Sequence, residues 1–113
     1  MDPLQVKCKP RVNGSLMQRY KGQPVILVGK VEDYDQDQNV AIVNTSDGLI
    51  CHVALTPNPR LANITEFYGI VDAEGKKLTE VSRVDLNDDF DFGTYDQMIN
   101  LCHTQFRPLF FDQ

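Results

Sequence analysis

The sequence of 113 residues lacks the features that would place it in a membrane, on a secretory route or among strongly basic proteins. No apolar run approaches the roughly 20 residues that a membrane-spanning helix needs. The segment from Met1 to Cys8 has no apolar core of the kind found in signal peptides, so we expect a protein of the cytosol or nucleus with no membrane partner. Lys and Arg number 11 against 16 Asp and Glu, a net charge of −5. A chain whose own surface binds nucleic acid is usually basic, so any such role must be weak or shared with a partner.

Cysteine is scarce, with Cys8, Cys51 and Cys102 far apart and no CxxC pair among them. Their odd number and spacing favour reduced thiols over a disulfide framework. His52 and His103 directly follow two of the cysteines, and both residue types are zinc ligands. The side chains of adjacent residues point to opposite faces of a strand and in different directions on a helix. The cysteine and the histidine of either pair are therefore poorly placed to bind the same metal ion. We therefore expect no metal and no other cofactor, with both histidines in solvent and Cys51 and Cys102 as small core residues.

Catalytic motifs are also missing from the sequence. No orienting motif accompanies the Cys–His pairs, and no glycine-rich loop is built to hold a phosphate. The carboxylates crowd two segments, residues 32–37 and 85–91, where they are typical of solvated loops. We expect no enzyme and no catalytic residue. A small hydrolase that uses Cys51 or Cys102 is the weakest alternative, and it predicts inactivation by thiol alkylation.

Five short segments have the composition of β-strands and are separated by turn sequences, namely 25–32, 40–44, 49–55, 64–71 and 78–86. Gly29 lies inside the first segment, where a strand can bend sharply and join two sheets. Before this segment, Asn13 to Ser15 can cap a short helical turn that ends near Tyr20. Five short strands with turns between them predict a small barrel or sandwich. Residues 1–12, with two prolines, are predicted to be a flexible arm, and residues 13–92 the barrel.

The hydrophobic period changes after the acidic segment. Apolar residues then recur at the helical spacing i, i+3, i+4, i+7 and i+11, namely at Tyr95, Met98, Ile99, Cys102 and Phe106. Pro108 ends this pattern. Leu101 lies off the main stripe and widens the apolar surface, which fits either a broader contact with the barrel or a contact with a partner. Residues 93–113 are thus predicted to be a C-terminal helix and tail, which the family resemblance described next assigns to assembly.

Two stretches of the sequence resemble the smallest subunit of replication protein A. The first comprises residues 10–16 (PRVNGSL) and 22–32 (GQPVILVGKVE), and the second comprises residues 90–95 (FDFGTY) with the helix that follows and residues 108–109. The likeness spans roughly residues 10–110. The resemblance implies an all-β domain with a C-terminal α-helix, a five-stranded OB-fold barrel.

In function, the resemblance implies a non-catalytic nuclear scaffold subunit of a heterotrimer that binds single-stranded DNA in replication, repair and recombination. The C-terminal helix is expected to pack beside one helix from each of two larger OB-fold subunits, and single-stranded DNA is bound mainly through those subunits. The residues implied at this interface are Tyr95, Met98, Ile99, Leu101, Cys102 and Phe106.

The sequence departs from DNA-binding OB-folds in its second and third predicted strands, 40–44 and 49–55. Such strands carry the aromatic residues on which bases stack, and here they contain none. Tyr34 lies between acidic residues in the loop that precedes them. Lys76 and Lys77 follow the fourth predicted strand and are candidates for phosphate contacts. We predict at most a weak direct DNA contact through Tyr34, Lys76 and Lys77.

Two further functions fit the same fold. A telomere-capping or telomerase-associated trimer also uses a small OB-fold subunit, and the identity of the partners distinguishes it. A free-standing OB domain that binds RNA or single-stranded DNA would bind with submicromolar, salt-sensitive affinity on its own. The acidic loop and the lack of aromatic residues on the second and third predicted strands argue against this last hypothesis.

Overall fold

The structure is a computed structural model that describes residues 10–57 and 60–104. The described residues form a short 3-10 helix (Met17–Tyr20), a C-terminal helix α1 (Phe92–Thr104) and six strands. The strands are β1 (Arg11–Val12), β2 (Pro24–Asp35), β3 (Val40–Thr45), β4 (Ile50–Ala54), β5 (Ile64–Val71) and β6 (Lys77–Leu86). The five strands predicted from the sequence correspond to β2 through β6.

Strands β2 to β6 form a closed ring. β2 pairs antiparallel with β3 on one side and with β5 on the other. β3 pairs antiparallel with β4, while β6 lies between β4 and β5, parallel to β4 and antiparallel to β5. Such a ring leaves no long strand edge open and encloses the inward side chains in one core, as a small β-barrel does.

The long strand β2 pairs with two neighbouring strands because it changes its pairing partner near its middle. Residues 24–30 pair with β5 and residues 29–35 pair with β3, so Gly29 lies where one pairing passes into the other. A Cβ atom at Gly29 would collide with the side chain of Val43 and would lie 2.8 Å from the carbonyl oxygen of Asn44. The close approach of β3 at this corner therefore requires glycine, in the position that the sequence predicts for the bend.

The core is formed by alternate residues of the ring and closed by residues from both ends of the chain. Its fully buried side chains include Leu27, Val43, Val53, Phe67 and Leu78. The turn before β2 contributes Leu16 and Met17, and helix α1 contributes Ile99. The helix is therefore part of the hydrophobic core, and its position on the barrel is set by burial of apolar surface.

The structure differs from the sequence-based expectation at the N-terminal arm. Arg11 and Val12, the last residues of the predicted arm 1–12, pair in parallel with β2, and Val12 is fully buried. Pro10 lacks an N–H group, but its carbonyl oxygen accepts a 2.9 Å hydrogen bond from the backbone of Ile26. Residues 1–9 lie outside the described residues.

Candidate functional site

Helix α1 begins at an acidic cap. The carboxylate of Asp91 accepts hydrogen bonds from the backbone N–H of Thr94 at 3.1 Å and from its hydroxyl at 2.8 Å. Both bonds lower the pKa of Asp91, and the bond from the backbone N–H has the larger effect. An N-terminal carboxylate also interacts favourably with the helix dipole. Asp91 is therefore the residue that caps the N-terminus of α1.

A polar cluster attaches the N-terminal half of α1 to the barrel. The buried side chain of Asn13 donates from Nδ2 to Asp96 Oδ1 at 2.8 Å and to Asn100 Oδ1 at 3.2 Å. Its own Oδ1 accepts from the backbone of Leu16 at 3.1 Å, and Ser46 Oγ donates to Asp96 at 2.9 Å. Two separate parts of the barrel thus bind one turn of the helix, which fixes the rotation of the helix about its axis.

A second set of contacts involves strand β1. The Arg11 guanidinium donates to Glu66 at 2.9 Å and to the hydroxyl of Tyr95 at 3.2 Å. Burial disfavours the charge of Arg11, but these two hydrogen bonds outweigh it and raise the pKa of the guanidinium. For Tyr95, burial is the largest cause and raises the pKa of the phenol. Arg11 therefore stays charged and holds Tyr95 against the barrel.

His103 near the end of α1 is buried, so the expectation that both histidines face solvent is wrong for this residue. Its Nε2 lies 2.9 Å from the carbonyl oxygen of Arg11 and its Nδ1 lies 3.3 Å from the Tyr20 hydroxyl. A carbonyl oxygen only accepts, so Nε2 carries a proton. His52 is exposed, as the sequence predicts.

The sequence-predicted interface residues do not all face the same way. Ile99 is 1% exposed and belongs to the core, which corrects its assignment to a partner surface. Tyr95 is partly buried against the core. The reason is that one face of the helix covers the barrel, so only the residues on its opposite face can contact a partner. Phe106 lies outside the described residues.

The outer face of α1 exposes apolar side chains that the barrel does not cover. Met98 and Leu101 are each 43% exposed, and Cys102 is half-buried beside them. These positions are spaced i, i+3 and i+4, so they form one continuous apolar patch on the helix. We call Met98, Leu101 and Cys102 the outer patch. It is the part of the predicted interface that is open to a partner.

The residues predicted to contact DNA lie apart from one another, with Tyr34 on β2, Lys77 on β6 and Lys76 in the turn before β6. Lys76 and Lys77 line a groove of 420 Å³ whose wall includes His52, an outward-facing residue that pairs with Lys77. Tyr34 lies on β2, with β3 and β4 between it and Lys77, and pairs with the buried Ala41. Its hydroxyl donates to Asn39 at 2.7 Å. The structure therefore does not bring Tyr34 and the two lysines together into one site.

Cys51 is a core residue and its chemistry does not suit a nucleophile. Burial, together with the charge of Asp72, raises the pKa of its thiol to about 12. At neutral pH the group is therefore a thiol and not the reactive thiolate. Its Sγ lies 3.6 Å from the Met17 sulfur, inside the apolar cluster. Within the described part of the chain, no group of three or more His, Cys, Asp or Glu residues is placed to hold a metal ion.

The fold and the helix define a class of protein, a small OB-fold domain that carries a docked C-terminal helix with an exposed apolar face. The family model described as "Replication factor A protein 3" matches residues 1–110, and the chain belongs to this family. It is 31% identical over 99 residues to a 14 kDa subunit of replication protein A from Arabidopsis thaliana, covering 88% of this chain and 91% of that protein.

A solved structure agrees with this assignment. A chain in the structure of U. maydis replication protein A bound to single-stranded DNA matches with a TM-score of 0.84 and 26% identity, over 92% of this chain and 96% of that one. The predicted OB-fold class and the resemblance to the smallest replication protein A subunit are both confirmed. Between Pro10 and Thr104, apart from residues 58 and 59, no helix is long and apolar enough to cross a membrane.

Proposed function

We propose that this chain is a non-catalytic scaffold subunit of a nuclear, heterotrimeric replication protein A complex, which binds single-stranded DNA in replication, repair and recombination. Family membership and the match to a replication protein A chain support the assignment. The observation that carries the mechanism is the outer patch. Its apolar side chains are exposed on a helix whose other face is already docked, and burying them against partner helices would release this surface from water.

The mechanism depends on a helix that is held rigidly before assembly. Ile99 anchors α1 in the core, while Asn13 and Ser46 fix its rotation through Asp96. The outer patch is therefore presented in one orientation, which reduces the entropy lost on binding. We infer that one helix from each of two larger OB-fold subunits packs on this patch and is held there in register. Tyr95 lies at the rim of this interface, and Phe106, which the resemblance also assigns to it, is outside the described residues.

We infer that single-stranded DNA is bound mainly by the larger subunits. β3 and β4 contain no Phe, Tyr or Trp for base stacking, and both strands lie between Tyr34 and Lys77. Replacing both Lys76 and Lys77 by Glu is expected to change the affinity of the assembled complex for an oligothymidine by less than about threefold. Titration at several salt concentrations, with fluorescence anisotropy as the readout, checks this. A loss of tenfold or more would make the two lysines a principal DNA contact.

The helix interface is tested by Leu101→Arg in a chain co-expressed with the two larger subunits. A buried, unpaired cation at a helix interface costs several kcal/mol, so we expect the trimer to be lost. Val84→Arg is the matched control, because Val84 is an exposed apolar residue on β6 at 55% exposure. Affinity purification and size-exclusion chromatography measure the composition of each complex, and far-UV circular dichroism checks that both variants are folded.

The same purification separates the alternative functions. Recovery of the trimer with Leu101→Arg at the wild-type yield would rule out the outer patch as the interface. Telomere-specific partners recovered from the protein's own cells would assign the chain to a telomere-capping trimer. A wild-type chain that purifies alone would indicate a free-standing OB domain.

A further inference from the structure

The outward face of β3 and β4 carries aliphatic side chains along its middle. Ala41, Val43, Cys51 and Val53 point inward and are buried, so their neighbours on each strand face outward. The outward residue at the end of β3, Asn44, is polar and pairs with Ile50, and the other five outward residues of the two strands are Val40 and Ile42 on β3 and Ile50, His52 and Ala54 on β4. Ile50 is 58% exposed, the highest value among the exposed large apolar side chains of the described residues. We call these five outward residues the sheet face.

The two flanks of the sheet face carry opposite charges. On the β2 side, Asp33 pairs with Ile42 and Asp35 pairs with Val40, and both acidic residues are exposed, whereas the exposed Lys30 pairs with Asn44 at the other end of this side. On the β6 side, Lys77 pairs with His52 and is also exposed. Residues opposite each other on neighbouring strands share a face of the sheet. With strands spaced at about 4.8 Å, three spacings separate the acidic flank from the basic flank by roughly 14 Å.

The groove of 420 Å³ begins at one end of the sheet face. Ile50 and His52 belong to both features, Lys77 on the β6 flank also lines the groove, and Leu49, 47% exposed, adds to its apolar wall. A chain that crosses the sheet face can therefore place one aliphatic side chain in the groove beside Ile50. Burying it would remove apolar surface of both partners from water.

These features favour a protein ligand over a nucleic acid. Phosphates would be repelled by Asp33 and Asp35, and bases would find no Phe, Tyr or Trp ring on either β3 or β4. We propose that the sheet face binds an extended protein segment that has an aliphatic residue in its middle, a basic residue that meets the Asp33 and Asp35 flank, and an acidic residue that meets Lys77. About four to five extended residues span the distance between the flanks.

The proposal is tested on the assembled complex with three labelled synthetic peptides that share a Leu-Val-Leu middle. One peptide has Lys-Lys at one end and Glu-Glu at the other, and the other two carry Lys-Lys or Glu-Glu at both ends. We expect the first peptide to bind most tightly by fluorescence anisotropy. Replacing Asp33 and Asp35 together by Lys should shift the preference to the peptide with Glu-Glu at both ends, because both flanks are then basic.

The position of the site is tested by Ile50→Ser, with Val84→Ser as the matched control on a different, similarly exposed apolar residue. We expect Ile50→Ser to weaken binding of the first peptide about tenfold and Val84→Ser to leave it unchanged. Equal binding of all three peptides, or equal affinity of wild type and Ile50→Ser, would overturn the proposal. Neither substitution touches the outer patch, so both variants should assemble normally and a failure here is distinct from a failure of the trimer interface.

A nucleic-acid ligand is the remaining outcome to examine. Photo-crosslinking with a thiothymidine oligonucleotide on the same complexes distinguishes it. A crosslink to β4 that disappears with Ile50→Ser and persists with Val84→Ser would overturn the proposal in favour of DNA. Peptide selectivity without a crosslink at β4 would support it.

Discussion

Replacing Ile99 by Asp is expected to undock the C-terminal helix and to lower the free energy of unfolding by about 4 kcal/mol or more. Ile99 is 1% exposed and packs in the same cluster as Val12 and Met17. The substitution removes a large apolar side chain from this cluster and puts a carboxylate among apolar neighbours. The carboxylate must then either take up a proton or draw water between the helix and the barrel, and both options disfavour the docked state.

Met98→Asp is the matched control for this prediction. Met98 precedes Ile99 on the same helix but is 43% exposed, so its replacement should change the stability of the chain by less than about 1 kcal/mol. Urea unfolding of the full chain measures both, with circular dichroism as the probe because the sequence has no tryptophan. Both variants should fail to form the trimer, Ile99→Asp through loss of docking and Met98→Asp through the interface itself. Equal stability of the two variants would contradict the docking of Ile99.

The helix shows what a hydrophobic period can and cannot predict. The spacing of Tyr95, Met98, Ile99 and Cys102 predicts the helix, and Leu101 indicates that its apolar surface is wide. It does not reveal which side of that surface covers the barrel, because both sides consist of the same residue types. The polar residues contain that information. Asp96, one helical turn before Asn100, flanks the inner side and meets Asn13, which the sequence suggests only as a cap of the preceding turn.

Strand β6 shows a different limit of sequence patterns. Strict alternation from Leu78 places Glu80, Ser82 and Val84 on one face. A bulge between Glu80 and Ser82 shifts the register by one residue, so that Arg83 turns inward and Val84 is 55% exposed. The bulge depends on how β6 twists against β5, and no local residue pattern predicts it. The five strand segments and the turns between them, by contrast, follow directly from the sequence.

The same bulge creates a buried ion pair inside the barrel. The side chains of Glu80 and Arg83 are 0% and 6% exposed and lie 3.2 Å apart at their closest atoms. Glu80 Oε1 also accepts from the backbone N–H and the hydroxyl of Thr56, each at 2.8 Å. The carboxylate thus connects β6 to the segment that follows β4, and the guanidinium supplies a countercharge within the protein.

Arg83→Met is accordingly expected to lower the free energy of unfolding by about 3–5 kcal/mol, although Met retains most of the aliphatic volume. The loss arises because Glu80 is left buried with no countercharge from Arg83, and not because the pair itself contributes that much stability. Adding Glu80→Gln removes the charge that has lost its counterion. The amide oxygen of the substituted side chain can still accept hydrogen bonds from Thr56. The double variant should therefore recover most of the loss, and a double-mutant cycle from urea unfolding measures the coupling. If Arg83→Met alone stays within about 1 kcal/mol of the wild type, the ion pair is not a structural element of the barrel, and the inward turn of β6 rests on apolar packing alone.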